Sequence, residues 1–315
     1  MTCHSCCVDC VKAGKYGKKQ IQRYLCKLCV KRYSEPQNKP LGDVRLPDEK
    51  VLLILHCLVE GNFVRGTARL CDVEKRTVLT LLKAAGENCE RMLEQRIRNV
   101  PVDDVQLDEI WTYVKKKERR KTPKDKGRDD IGDQFVFIAI ERNTKLVITW
   151  HLGRRNGVNT QDFITKLRDA TAAQRFQLSS DAFQAYRTAI EWGLHDRADY
   201  AQIIKLYGKL PTGRESYRPP KIKGTIKADI LSHPNPKRIC TSHIERKNGL
   251  FREWCKRFTR LTYAFSKKRE NLRAACALHF AYYNFCRIHG SLRVTPAMEA
   301  EITDHVWSLG ELINA

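Results

Sequence analysis

The chain has 315 residues, with 58 lysines and arginines against 36 acids for a net charge of +22, and is 9% aromatic. That length exceeds one ordinary core and predicts two or three modules, while an excess of cations this large selects a polyanion as partner. No apolar run approaches the ~18 residues of a spanning helix and no basic-then-apolar leader opens the sequence, which sets a membrane aside and makes nucleic acid in the cytoplasm, at the nucleoid, the expectation.

Six of the thirteen cysteines fall within the first 29 residues, and such clustering predicts metal rather than disulfides. CHSCCVDC at 3–10 and CKLC at 26–29 supply two CxxC knuckles, the pattern of a zinc ribbon over residues 1–36. Spacing leaves the register open: Cys3 with Cys6, or Cys7 with Cys10, completes a four-thiolate cage with Cys26 and Cys29. A glycine-broken basic hairpin lies between the knuckles and is suited to touching phosphates. The other seven cysteines are scattered, mostly among helical patterns, and read as small apolar groups.

Residues 45–98 carry apolar positions at the spacing of three helices. From Ala68 to Val78 an alanine, a turn at Asp72, a valine plug at Val73 and a new helix start follow the cadence of a helix-turn-helix, whose second helix would offer Lys75, Arg76 and Lys83 to a major groove. An ordinary three-helix bundle shares the apolar spacing.

From residue 103 the pattern turns to strands. DDVQLDEIWTYV, QFVFIAIER and KLVITWHLG predict an antiparallel meander, followed by helix, strand, helix, strand and a long helix from near His243. That order is the order of an α/β, ribonuclease-H-like catalytic core over 103–265, with 208–240 read as an insertion loop and 266–315 as a C-terminal helical segment.

Phosphoryl chemistry in such a sheet needs acids from distant segments to converge on hard divalent cations. Asp108 stands in the first strand, Asp181 closes FQLSSD and Glu245 opens the late helix. A period of two turns Leu107 and Glu109 to the face opposite Asp108. At about 100° per residue, Glu245, Asn248, Gly249, Arg252 and Lys256 share one helix face, with Ile244, Phe251, Cys255 and Phe258 on the other. Pattern alone leaves Glu109, Asp103, Asp104 and Asp162 open as ligands. Nine basic residues face two acids over 115–128 and ten face three over 245–273, two stretches suited to tracking a phosphate backbone.

LDEIWTYV at 107–114, SSDAFQAY at 179–186 and the stretch from CTSHIERKNGLFREWCKRF at 240 through TPAMEA at 300 resemble the DDE transposases of bacterial insertion sequences, specifically the insertion-sequence-one family. The N-terminal CxxC, VKAGK and QRYLCKLC series resembles that family's zinc ribbon, so the resemblance covers nearly the whole chain. It implies that Asp108, Asp181 and Glu245 are the catalytic triad holding magnesium or manganese, that Arg252 contacts DNA near the scissile phosphate with Asn248 and Lys256 on the same face, and that Cys3, Cys6, Cys26 and Cys29 hold zinc. It further implies recognition of terminal inverted repeats in double-stranded DNA, a homodimer or higher oligomer on paired ends, and strand cleavage followed by strand transfer to target DNA. The long stretch at 208–238 and the basic insert at 115–130 depart from compact members of the family. A DNA-binding regulator built on the ribbon and helices alone would need no acids, and a nuclease or resolvase would share the acids without needing to recognise ends.

Overall fold

The structure, a computed structural model, describes residues 1–3, 5–17, 20–35, 41, 44, 46–208, 222–260 and 262–315. Its contacts divide the chain into two compact units, Met1–Asp43 and Val44–Ala315. The first unit holds strands β1 (Val11–Tyr16), β2 (Ile21–Leu25) and β3 (Arg32–Ser34) in an antiparallel sheet. Among its described residues only Cys3 and Cys26 are buried. So small a core cannot offset the entropy of ordering the chain without a cross-link.

The second unit begins with helices α1 (Asp48–Val59), α2 (Val64–Leu70) and α3 (Lys75–Arg96). Residues 71–74 join α2 to α3, with Asp72 at φ 46°, a left-handed turn that a short polar side chain tolerates. Lys75 and Arg76 are exposed on the first turn of α3. Further along, Ala85, Gly86 and Cys89 are buried where α3 crosses α7 (Arg269–Phe285).

Six strands form the central sheet in the order β6-β5-β4-β7-β8-β9: β4 (Asp104–Val114), β5 (Gly132–Glu141), β6 (Val147–Gly153), β7 (Phe176–Asp181), β8 (Ala198–Tyr207) and β9 (Ile222–Leu231). β7 runs parallel to both β4 and β8; the remaining pairs are antiparallel. The fold is therefore a mixed α/β sheet with helices on both faces. Helices α4 (Gly157–Ala170) and α5 (Gln184–Leu194) cover one face, where Phe137 meets Phe163 and Tyr186. On the opposite face lie α6 (Ser242–Trp254) and α7, where Phe280 packs on Trp150 and Phe251. Two short helices, α8 (Pro296–Glu299) and α9 (Leu309–Asn314), close the chain. Among the described residues no helix is long and apolar enough to cross a membrane.

Two expectations need correction. The stretch 208–240 is not all loop: residues 222–231 form β9, antiparallel to β8, while 209–221 lie outside the described residues. Ile222, Ile226 and Ile230 alternate there with Lys223, Thr225, Lys227 and Asp229, a period of two that the surrounding basic and proline residues obscure. The late helix is also shorter than its apolar spacing predicts. α6 ends at Trp254 and the chain tightens into a 3-10 turn over Lys256–Phe258, so Lys256 does not share the helical face of Glu245. Thr112 of β4 donates to the Arg257 carbonyl at 2.7 Å, and Phe258 is fully buried; anchoring the carbonyl to the sheet and burying the ring both fix this turn against helix continuation.

Candidate active site

β4 and β7 pair in parallel over Asp104↔Gln177, Val105↔Leu178 and Gln106↔Ser179, each pair differing by 73 (177 − 104). Pairing stops there. Carried on by two residues, the same register sets Asp108 level with Asp181, on the same face, where the strands have parted. The chain leaves β4 toward β5 and leaves β7 toward β8, so this gap is the switch point of the sheet at the carboxyl ends of two parallel strands, the place where α/β sheets bind ligands.

Asp108 Oδ1 accepts the Glu109 backbone N–H at 2.9 Å, and Oδ2 accepts from Asn248 Nδ2 at 2.7 Å. Burial pushes Asp108 up from 3.8 to about 6, with the charges of Asp181 and Glu245 adding to the rise and the two hydrogen bonds opposing it. Glu109 comes from the other face of β4, beside α5. Burial and the charge of Asp181 push it up from 4.5 to about 7. The buried Tyr186 hydroxyl lies beside it and opposes that rise as a hydrogen-bond donor. One oxygen from each of Asp108, Glu109 and Asp181 lies within 4.8 Å of the others. Residues on opposite faces meet here because no neighbouring strand fills the gap between them.

Glu245 stands outside that set of three. From the first turn of α6 it accepts hydrogen bonds from Thr241 Oγ1 at 2.5 Å and Lys205 Nζ at 2.6 Å, while its charge still reaches Asp108. The structure thus brings Asp108 and Asp181 together with Glu109, and holds Glu245 beside them on a lysine. Of the other acids left open by pattern, Asp104 and Asp103 are tied to Arg238, with Arg142 also on Asp104, and Asp162 is exposed on α4.

Asn248, 1% exposed, keeps Oδ1 buried and unpartnered while its amide nitrogen holds Asp108. One turn on, Arg252 is half-buried with its Nε also buried and unpartnered, and the charge of Asp108 acts on it against the effect of burial. Lys256 is exposed beyond the helix. Two cations that the sequence pattern did not single out sit directly on the acids: Arg155, from the turn between β6 and α4, touches Glu109 and Asp181, and Lys205 of β8 touches Glu245. Lys205 carried a signal, since it interrupts the apolar run YAQIIKLY two residues past Ile203, the register partner of Asp181. A lone arginine in a turn carried none.

These carboxylates suit magnesium or manganese. They offer several hard oxygens in one place, three of them mutually within reach, and their crowded negative charge costs least with a divalent cation between them. In the first unit, Cys3, Cys6, Cys26 and Cys29 have sulfurs all within 4.8 Å of one another, and Cys3 lies 3.6 Å from Cys29. Tetrahedral zinc with bonds of ~2.3 Å would set sulfurs about 3.8 Å apart, so the four thiols fit that ion. The Tyr33 hydroxyl, 3.1 Å from Cys3, draws its thiol down to about 6. Cys7 is exposed, and neither it nor Cys10 belongs to the set.

Counting charges along the chain overstated one basic stretch. Within 245–273, Lys247 is buried against Tyr283, Arg257 donates to Ser266, Arg269 to the Leu152 carbonyl, and Arg273 pairs with Glu90. In the insert at 115–128, by contrast, Arg119, Arg120, Lys124 and Lys126 remain exposed.

No family model and no curated protein matches this sequence. Among solved structures, the chain is similar to a chain of a pre-cleavage Mos1 transpososome at 14% identity, over 53% of this chain and 61% of that one, with a TM-score of 0.21. It is similar to a chain of the Mos1 strand transfer complex at 12% identity, over 71% of this chain and 76% of that one, with a TM-score of 0.20. The chain thus spans about three fifths of the length of the first of these, its matched share being 61%.

Proposed function

We propose that the chain is a DNA transposase of the DDE type, resembling the insertion-sequence-one family, that cuts at the ends of its element and joins them to target DNA. The observation that carries this reading is the meeting of Asp108, Glu109 and Asp181 where β4 and β7 part, with Glu245, Asn248 and Arg252 of α6 alongside. Magnesium or manganese bound there would neutralise charge on a phosphate in transfer and lower the pKa of a nucleophilic water or 3′ hydroxyl. Asp108 and Asp181 would hold the ion, and Glu109 and Glu245 are the two candidates for a third carboxylate. Asn248 fixes the orientation of Asp108, and Arg252 provides a phosphate contact one helical turn further. Burial of Asp108 and Glu109 keeps these two carboxylates where their charge is poorly solvated, which strengthens their hold on a cation.

The remaining parts take roles in holding DNA: Lys75 and Arg76 on α3 in a helix-turn-helix that reads terminal repeats, the zinc-stapled ribbon on the backbone, and a dimer or larger assembly on paired ends in the nucleoid. The test is nicking of a supercoiled plasmid carrying candidate ends, with manganese, by the wild-type chain and by Asp108→Asn. Cleavage by the first and not the second supports the proposal. Equal binding with no cleavage by either would make the chain a DNA-binding regulator, and cleavage unaffected by Asp108→Asn would discard this site.

A further inference from the structure

Two neighbouring arginines in the turn after β6 are held very differently. Arg154 is locked: Nη1 donates to Glu118 Oε2 at 2.6 Å and the Asp133 carbonyl at 2.7 Å, and Nη2 donates to the carbonyls of Ile131 at 2.5 Å and Arg128 at 3.2 Å. Arg155 makes only long contacts, Nε to Glu109 Oε2 at 3.2 Å and Nη2 to Asp181 Oδ2 at 3.5 Å. An arginine held in place makes several short bonds, as Arg154 does, or pairs with one carboxylate through two parallel ones. Arg155 instead spreads over two carboxylates, with single contacts of 3.2 Å and 3.5 Å. Its side chain is 36% exposed.

The guanidinium also rests on an aromatic platform. Its carbon lies 4.0 Å from the centre of the Phe183 ring, two residues past Asp181, and 6.0 Å from that of Phe135. Stacking on a ring face holds a guanidinium loosely in place while its edge stays free to exchange one anion for another. Both of its carboxylates belong to the set that fits a divalent cation.

We propose that Arg155 is a latch on the metal site: it satisfies Glu109 and Asp181 in the metal-free protein, a divalent cation displaces it, and the freed guanidinium then binds a DNA phosphate beside the cleft. The inference rests on the function proposed above, since it needs the three acids to bind metal. A cation with two charges competes for the same oxygens and repels the guanidinium. Arg155 can turn out across Phe183 toward solvent, where the phosphate of bound DNA gives it the bidentate partner it lacks among the carboxylates. Metal loading and DNA grip are thereby coupled through one side chain.

The test uses the full zinc-loaded chain and two readouts other than cleavage: manganese binding followed by electron paramagnetic resonance, and duplex DNA binding in calcium. Arg155→Gln removes the competitor from the acids and the cation from the DNA, so manganese should bind about fivefold tighter. DNA should bind more weakly, with the salt slope reduced by about one. A residue that only props the acids in place would give weaker manganese binding when removed, and unchanged or weaker binding overturns the latch. If Arg155→Gln does not fold, Arg155→Lys takes its place: the ammonium cannot bridge both carboxylates, so manganese binding still tightens while most DNA affinity is kept, and failure of that tightening overturns the latch equally. Asp108→Asn separates the two ideas. Manganese binding that Asp108→Asn abolishes but Arg155→Gln does not strengthen removes the latch alone; manganese binding indifferent to Asp108→Asn removes the proposed function with it.

Discussion

Asp108→Asn should make the metal-free protein more stable while destroying the activity proposed for it. The Asp108 carboxyl is raised from 3.8 to about 6, chiefly by burial, so ionising it in the folded chain costs free energy that the unfolded chain does not spend. At ~1.4 kcal/mol for each pH unit of that rise, the cost comes to about 3 kcal/mol. The sign follows from the direction in which the carboxyl moves. For a carboxyl raised on folding, stability is intact below the unfolded value of 3.8 and is lost as pH climbs through about 6. A neutral amide of the same shape escapes the loss. It also finds a partner, because the Asn248 amide can turn its buried, unpartnered Oδ1 toward the introduced NH₂. The gain should therefore be small near pH 4, grow toward pH 6 and level off at about 3 kcal/mol by about pH 8. Urea unfolding followed by tryptophan fluorescence measures it cleanly, since all five tryptophans lie within Val44–Ala315. A variant less stable than wild type at about pH 8, or a gain independent of pH, would refute the claim that Asp108 is a strained anion held for a cation.

The same raised carboxyls govern metal loading: with Glu109 at about 7 and Asp108 at about 6, protons compete for the ligands, so manganese affinity should rise from about pH 5 to about pH 8 and then flatten. A flat profile in a binding titration over that range would count against these two as ligands. In the first unit, Cys26→Ser should lose one equivalent of zinc by elemental analysis and Cys7→Ser should lose none, because only Cys26 belongs to the four clustered thiols. Gly86→Ala should destabilise the second unit by at least about 2 kcal/mol in urea, since a Cβ there would meet the Ala274 Cα and carbonyl oxygen at 2.5 Å, and backbone cannot give way as a side chain can.

Strands β4 to β8 were legible because each is a run of branched and aromatic residues bounded by turns, and burial on both faces leaves little room for any other composition. β9 was missed for the converse reason. It is a mostly exposed strand at the end of the sheet, rich in lysine as unpaired edges often are, and its isoleucine alternation is diluted by Gly224 and Ala228. The end of α6 was hidden because a helix and a helix followed by a 3-10 turn bury the same residues, Phe251, Cys255 and Phe258. What separates the two is the tether from Thr112, a contact between residues 145 apart in the chain.

Glu109 shows a different limit. The rule that neighbours on a strand face opposite ways is obeyed here: Asp108 meets Asn248 of α6, and Glu109 stands beside Tyr186 of α5. The rule forbids their carboxylates from sharing an ion only inside a continuous sheet, where backbone hydrogen bonds separate the two faces. β4 loses its β7 partner after Gln106, and from that point the faces communicate around the free edge. Opening of a ladder depends on where the next strand goes, and β7 begins 62 residues after β4 ends (176 − 114). Local periodicity can therefore nominate Asp108 and Asp181, which share a face, but the choice between Glu109 and Glu245 as their companion is a property of tertiary structure. Arg155 and Lys205 sharpen the point: each pairs with one of the two glutamates across 46 and 40 residues of chain, a separation that local periodicity does not span.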